Sequence, residues 1–545
     1  MFKQNRFVAT FVFFVVILFA FCTSGGKEVK RVGSNNYNYL VNLFNEFQEL
    51  EKPEVTDGVP DYTPAGIAEQ SKSLRKLQKR LASMDVSDWP VSQQVDYHIV
   101  RAEMNKLYFF HRVLKPWARD PVFYLQTQAG VRPTRYGALE IHRLPIPDGE
   151  MADFRMKLKA LPLILEQAKS NLTEGAADLA LIALHYMDIE IDYHTRVLNA
   201  LKEHHPALAP DAEQALSAVK DYGEWLKKNM SKMTAPAGVG IENYNWWMKN
   251  VQLVPYTWKE LMDIVMHEDY RMITTLELER NRNRKLPELK PVENQADHRS
   301  RRDQAIRFVT EFLQEEEILT VPDFLSVEEY LYQEPLASPE PWPRNRDFFE
   351  QTGDREPLPE QTHEFIGHSF VDQRFQRDNR PIRGKISFNA VGSIRNEGWA
   401  FWLEEMLMHA GYLDTRPRRG REIVYLQAAF RTCRAVADLK VHSNEYSLRE
   451  AIDYCVECAP NHWLLRDGHH VWNEMQTTLR AVGWHTGMVV GKFQFMKLFR
   501  DCAKQRGANF NVREFMDEFL GAGMIPISLI RWEMTGITDE IEKLW

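Results

Sequence analysis

The side chains able to do chemistry are concentrated in one stretch, from 359 to 405, of a 545-residue chain. It reads PEQTHEFIGHSF, then a polar connector, then RNEGWAFWLEE. His363, Glu364 and His368 stand close together; Glu397 follows, with Glu404 and Glu405 behind it. Two imidazoles and two or three carboxylates on two helical segments make the donor set of a zinc hydrolase. Such a set supplies nitrogen and oxygen ligands for the ion and a spare carboxylate to carry a proton.

The spacing makes a structural demand. Histidines that share an ion on one helix usually stand at i and i+4, whereas His363 and His368 stand at i and i+5. Five residues of regular α-helix turn through about 500°, which leaves the second imidazole about 140° from the first. The sequence therefore predicts a widened, π-type turn near Phe365–Gly367, eased by Gly367. Glu397 is the expected third ligand, from a second helix. Glu404, seven residues on, shares its face, so Glu404 or Glu405 can orient a ligand imidazole. Glu364 is the expected base, taking a proton from the attacking water and passing it to the leaving amine.

The elements that must position these groups read as helices. Apolar residues recur at helical spacing over 37–115 and 150–230, including a long amphipathic run from Ala176 to Leu201 that Pro206 and Pro210 end. Strand signals are scarce. Thr257-x-x-Glu260, Ser326-x-x-Glu329 and Ser447-x-x-Glu450 fit capping boxes. Prolines and aromatics punctuate 318–359, which reads as an ordered connector or cleft wall leading into the His363 helix. Helical patterns resume over 397–411, 420–443, 447–458, 470–481, 487–505 and 511–520.

Other chemistry-bearing clusters have blander readings. His267-Glu268-Asp269 reads as a solvated helix face. His462, Asp467, His469, His470 and Glu474 read as a solvated turn rather than a second metal site. Cys455-x-x-Cys458 reads as two buried small hydrophobes rather than a zinc or redox pair. Tyr244, Trp246 and Trp247 read as core.

Composition sets the outer bounds. A hydrophobic share of 44% suffices to bury a large core. A net charge of −8 without a basic stripe argues against nucleic acid as a partner. Lys3 and Arg6 precede an apolar run, Phe7 to Phe21, that is short for a membrane span. Cys22 follows it, as the lipidated residue does in a bacterial lipoprotein signal; cleavage after Ser24 and an uncleaved anchor are the alternatives. The expected chain is exported, periplasmic or a cell-envelope lipoprotein, and meets membrane only through an N-terminal lipid or signal anchor.

Several segments carry a resemblance: HEFIGH, ISFNA before the acid, EGWAFWLEE, SLREAIDY, and the C-terminal GKFQFMKLFRD and FNVREFMDEFLGAGMIPISLI. With GIENYNWWMKN and YTWKELMDIV upstream, the chain resembles the bacterial family labelled domain of unknown function 885 over nearly all of its mature length. The HEF–GH segment is similar to thimet oligopeptidase-type metallopeptidases. The resemblance implies an all-α, multi-helical, zincin-like catalytic unit with a central cleft and little sheet. It also implies zinc held by His363, His368 and Glu397, with Glu364 as base. The chain departs from the family pattern in three places. No proline precedes Gly367 and Ser369 replaces a final histidine. The Glu474–Thr478 segment lacks an arginine and a tyrosine, and Met488 replaces a tyrosine. In related peptidases a tyrosine or histidine near that point stabilises the oxyanion, and His485 is the residue here that can take the role.

The expected organisation is an export signal over 1–24, a tether over 25–36 and a helical zincin-like domain over 37–545. That domain divides into a helical N-terminal part (37–317), a connector (318–358) and a metal-site part (359–545). The expected function is zinc-dependent cleavage of peptide bonds, peptidase- or carboxypeptidase-like, with a peptide or small amide as the substrate. The alternatives are amidase or esterase action on a non-peptide substrate, and a catalytically degenerate zincin-like binding protein. Lys492 or Arg395 is the expected contact for a substrate carboxylate.

Overall fold

The computed structural model describes residues 36–126, 144–332, 345–387 and 390–545. The export signal with Cys22, the prolines from 335 to 343, Phe388 and Asn389 of ISFNA, and the Glu329 side chain lie outside the described residues. Within them the chain is almost wholly helical. The sheet is a single antiparallel pair of two-residue strands, Val55–Thr56 with Val59–Pro60. No described helix is long and apolar enough to cross a membrane.

In the first half we label five helices: α1 (Val91–Phe109), α2 (Met151–Asn171), α3 (Met187–His204), α4 (Ala209–Asn229) and α5 (Trp258–Asn283). Leu158, Leu161 and Leu165 of α2 and Ala212, Ala215 and Val219 of α4 repeat at helical spacing and are buried in one core. The expected long run from Ala176 is two helices, Ala177–His185 and α3, broken at Tyr186. The first packs on Pro121–Tyr124 and the second on α4, so one straight helix would not serve both neighbours. Pro210 does not end an element either. It stands in the first turn of α4, where a missing N–H costs nothing. Thr257 and Ser447 form the expected capping boxes, and Asp347 with Glu350 forms a third that caps Phe348–Gly353.

The second half holds the centre of the molecule. α6 runs as three stretches, Leu358–Gln361, Thr362–Ser369 and Phe370–Gln376. α7 (Ser393–Ala410), α8 (Gly420–His442), α9 (Leu448–Cys458), α10 (His469–Arg480) and α11 (Trp484–Arg506) follow. α7 and α8 are buried on nearly every face, as helices surrounded by other helices must be. α7 crosses α11 backbone to backbone. A Cβ on Gly398 would lie 2.3 Å from Gly491 Cα, and one on Gly491 would lie 2.2 Å from the Ile394 carbonyl oxygen. These glycines provide room for a close helix approach rather than an unusual backbone angle.

An ion network ties α5, α7 and α11 together. Lys492 is buried and pairs with Glu268 at 2.9 Å and Glu405 at 2.7 Å, while Arg271 bridges the same two carboxylates. Glu268 is therefore not on a solvated face. Burial opposes the charge on Glu405, but Arg271 and Lys492 hold its carboxyl down at about 2. The cysteine reading also changes. Cys458 of α9 is disulfide-bonded to Cys433 of α8, with Cα atoms 6.2 Å apart, because the two helices pack side by side. Cys455 remains a buried free thiol.

Candidate metal centre

The middle stretch of α6 is a π-helix over Thr362–Ser369. Its wide turn closes with Phe370 N–H donating to Phe365 O, five residues back. The i+5 pair is thereby returned to one face. His363 Nε2 and His368 Nε2 lie 3.0 Å apart, with the rings close to perpendicular. Gly367 has a second reason to be small: a Cβ there would sit 2.5 Å from Ala400 Cβ, so the glycine lets α7 come close.

That approach delivers Glu397. Its Oε2 is 3.7 Å from His363 Nε2 and its Oε1 is 3.7 Å from His368 Nε2. Ligands about 2.0–2.1 Å from a tetrahedral ion lie about 3.3 Å from one another. The three donor atoms therefore converge as one ion requires, and all lie within 4.8 Å of each other. This is the one such group among the described residues. Two further observations fit a cation. Glu397 Oε2 is buried without a hydrogen-bond partner, a costly state for a carboxylate oxygen. Two Nε2–H groups pointed at one another would also repel, whereas two lone pairs can share an ion.

The outer contacts set those lone pairs. Glu404 Oε1 lies 2.8 Å from His363 Nδ1 and accepts its proton. Asn396 Nδ2 lies 2.9 Å from His368 Nδ1 while its Oδ1 is buried without a partner, so the amide is better satisfied with its two ends exchanged. With that oxygen turned to the ring, Asn396 accepts the Nδ1 proton and leaves Nε2 free. Arg431 of α8 pairs with Glu404 at 2.7 Å and holds it in place. Burial raises Glu404 to about 7 against the pull of Arg431. Burial, and then Arg431 and His368, push His363 well below its usual range, and burial raises Glu397. The imidazole is thus held neutral, the form that ligates. Glu404→Gln is expected to weaken zinc binding about 10–100-fold, measured by competition against a chromophoric chelator. Unchanged affinity would reduce Glu404 to a packing role.

A cavity of about 460 Å³ opens over the centre. Glu364 is exposed and lines it, as do Arg431, Arg434, Glu474 and His485. His485 is buried, with Nε2 2.7 Å from Glu474 and Nδ1 2.8 Å from Thr478 Oγ1. Glu474 also pairs with Arg434. Burial works against its charge, but Arg434 and His485 hold it well below the ordinary carboxylate range. Arg434 reaches Met488 Sδ at 3.7 Å.

Three expected assignments change. Lys492 is committed to the buried network, and Arg395 lines a separate cavity, so neither lines the cavity over the metal centre. The run expected as a solvated turn is bound into the fold at two points: His470 pairs with Glu350 at 2.9 Å, and Glu474 with Arg434 and His485. Tyr244 and Trp247 are core residues, as expected. The sequence reading missed Asn396, Arg431 and Arg434. Two arginines three apart in the otherwise apolar AAFRTCRAVA were the available signal.

The sequence matches the family described as "Bacterial protein of unknown function (DUF885)" over residues 49–308 and 367–534. No curated protein matches the chain. Two solved structures share its fold. One, "a putative lipoprotein of unknown function from Shewanella oneidensis", has a TM-score of 0.69 at 15% identity, over 92% of this chain and 99% of that one. The other, "the putative lipoprotein from Colwellia psychrerythraea", has a TM-score of 0.65 at 13% identity over the same shares.

Proposed function

The chain belongs to this family, DUF885, and we propose that it is an exported, zinc-dependent hydrolase of peptide bonds. The observation that carries this reading is the convergence of His363, His368 and Glu397 beneath a cavity that Glu364 lines. Zinc bound there supplies a Lewis acid that polarises a carbonyl and acidifies water. Glu364 takes the proton of the attacking water and passes it to the leaving amine. Glu404 and Asn396 keep the imidazoles in their ligating tautomers. His485 donates to the oxyanion by exchanging its Nε2 bond to Glu474 for one to substrate, and Arg434 adds positive charge at the same wall. The cavity takes a short stretch of peptide or a small amide. Export rests on the charged and apolar N-terminus ending at Cys22, and the lipoprotein descriptions of the two similar structures support it.

A degenerate zinc-binding protein is the second reading. The engagement of both His485 nitrogens within the fold, and Met488 beside Arg434, favour it. The deciding test is metal content of the purified protein with a mixed-peptide digest, before and after chelation. One equivalent of zinc and cleavage that stops on chelation support the hydrolase. Zinc without turnover on peptides, simple amides or esters supports the second reading. Cleavage that survives removal of all metal ends the first.

A further inference from the structure

On the far side of α6 and α7 lies a second cavity of about 470 Å³ that shares no lining residue with the first. Its wall carries four arginines, Arg374, Arg377, Arg380 and Arg395, and a single acid, Asp378, which Arg380 occupies. Arg395 is the unusual one. It is 1% exposed, and its Nε and Nη1 are buried without a hydrogen-bond partner. A buried guanidinium ordinarily has a carboxylate or carbonyls around it, since burying an unpaired charge is among the most costly events in a fold. Phe519 covers one face of Arg395 at 4.5 Å, which leaves the in-plane donors unanswered. Arg374 reaches the same cavity; Asp517 is near enough to attract it but accepts its own hydrogen bonds from Thr320. Arg374 and Arg395 line one wall, so an anion lodged there would meet both guanidinium groups. The remaining wall is apolar: Phe324, Val371, Phe375, Leu520 and Met524.

We propose that this cavity is a binding site for an amphiphilic anion, whose carboxylate or phosphate head meets Arg395 and Arg374 and whose apolar body lies against Phe324, Phe375 and Leu520. Guanidinium forks match planar and tetrahedral oxyanions in pairs of hydrogen bonds, and the aromatic wall removes a tail from water.

Isothermal calorimetry on the mature protein tests this with four probes: hexanoate, hexyl phosphate, acetate and inorganic phosphate. Saturable binding of a tailed probe is expected, weakened about tenfold or more in both Arg395→Met and Arg374→Gln. The tighter of the two tailed probes identifies the head. Arg374 is only partly buried, so its variant keeps the test sound if Arg395→Met does not fold. The proposal is overturned if no probe binds, if both variants bind as wild type does, if the short anions bind as tightly as the tailed ones, or if chelating the metal abolishes binding.

Discussion

Glu364→Gln is expected to retain zinc and to lose about 10²–10⁴-fold in the rate of peptide cleavage. The substitution keeps the size of the side chain and removes only its ability to take a proton. Glu364 is exposed at the cavity wall, outside the donor triad. Stability is therefore expected to stay within about 0.5 kcal/mol of wild type, as for most surface changes. Elemental analysis, thermal melting and a peptide-digest rate measured on the same preparation separate the cases. Equal rates for wild type and variant would remove Glu364 from the chemistry and with it the proposed mechanism. Loss of zinc in the variant would instead make Glu364 a ligand.

The second large effect lies where α7 crosses α11. In Gly398→Ala the new methyl would meet Gly491 Cα at 2.3 Å, and also the Lys492 nitrogen at 2.6 Å. Both are backbone atoms in the middle of long helices, so no side-chain rotation relieves the overlap. Carbon atoms pack at about 3.5–4.0 Å, so the helices must part by about 1 Å or more. Overpacking of this kind costs about 1–3 kcal/mol and sometimes more. The displaced residue next in the chain is Glu397, and a misplacement of about 1 Å can cost a site about 100-fold. Gly398→Ala is expected to melt earlier and to bind zinc weakly. Gly521→Ala is the matched control: it also lies in a helix, but nothing stands within 4 Å of its Cβ position. The control should be neutral or slightly stabilising, since alanine favours helix by about 1 kcal/mol over glycine. Equal melting of the two variants would show that α7 and α11 are free to separate.

The donor set was legible in the sequence, and so was the distortion that assembles it. The wide turn follows from counting residues between His363 and His368, because helix geometry is local. The caps at Thr257 and Ser447 were legible for the same reason. What escaped depends on contacts between elements distant in the chain. The burial of Glu268 is set by Lys492, and the clamp on His363 by Arg431; nothing near either residue announces the partner. Cys458 finds Cys433 because α8 and α9 lie side by side, a tertiary fact. Arg395 is a different case. Two helical positions amount to about 200°, so its place opposite Glu397 could have been read from the sequence.

A helix ordinarily rejects an inserted residue, since every later side chain would swing by about 100° and leave its neighbours. In α6 the extra residue is absorbed within the eight-residue stretch Thr362–Ser369, and an ordinary helix resumes from Phe370. The cost of such an insertion stays where it occurs. Lineages carrying this kind of centre can therefore gain or lose a residue between the histidines without rebuilding the rest of the helix. Descent among them is better traced by which side chains face one another than by the count of letters between them.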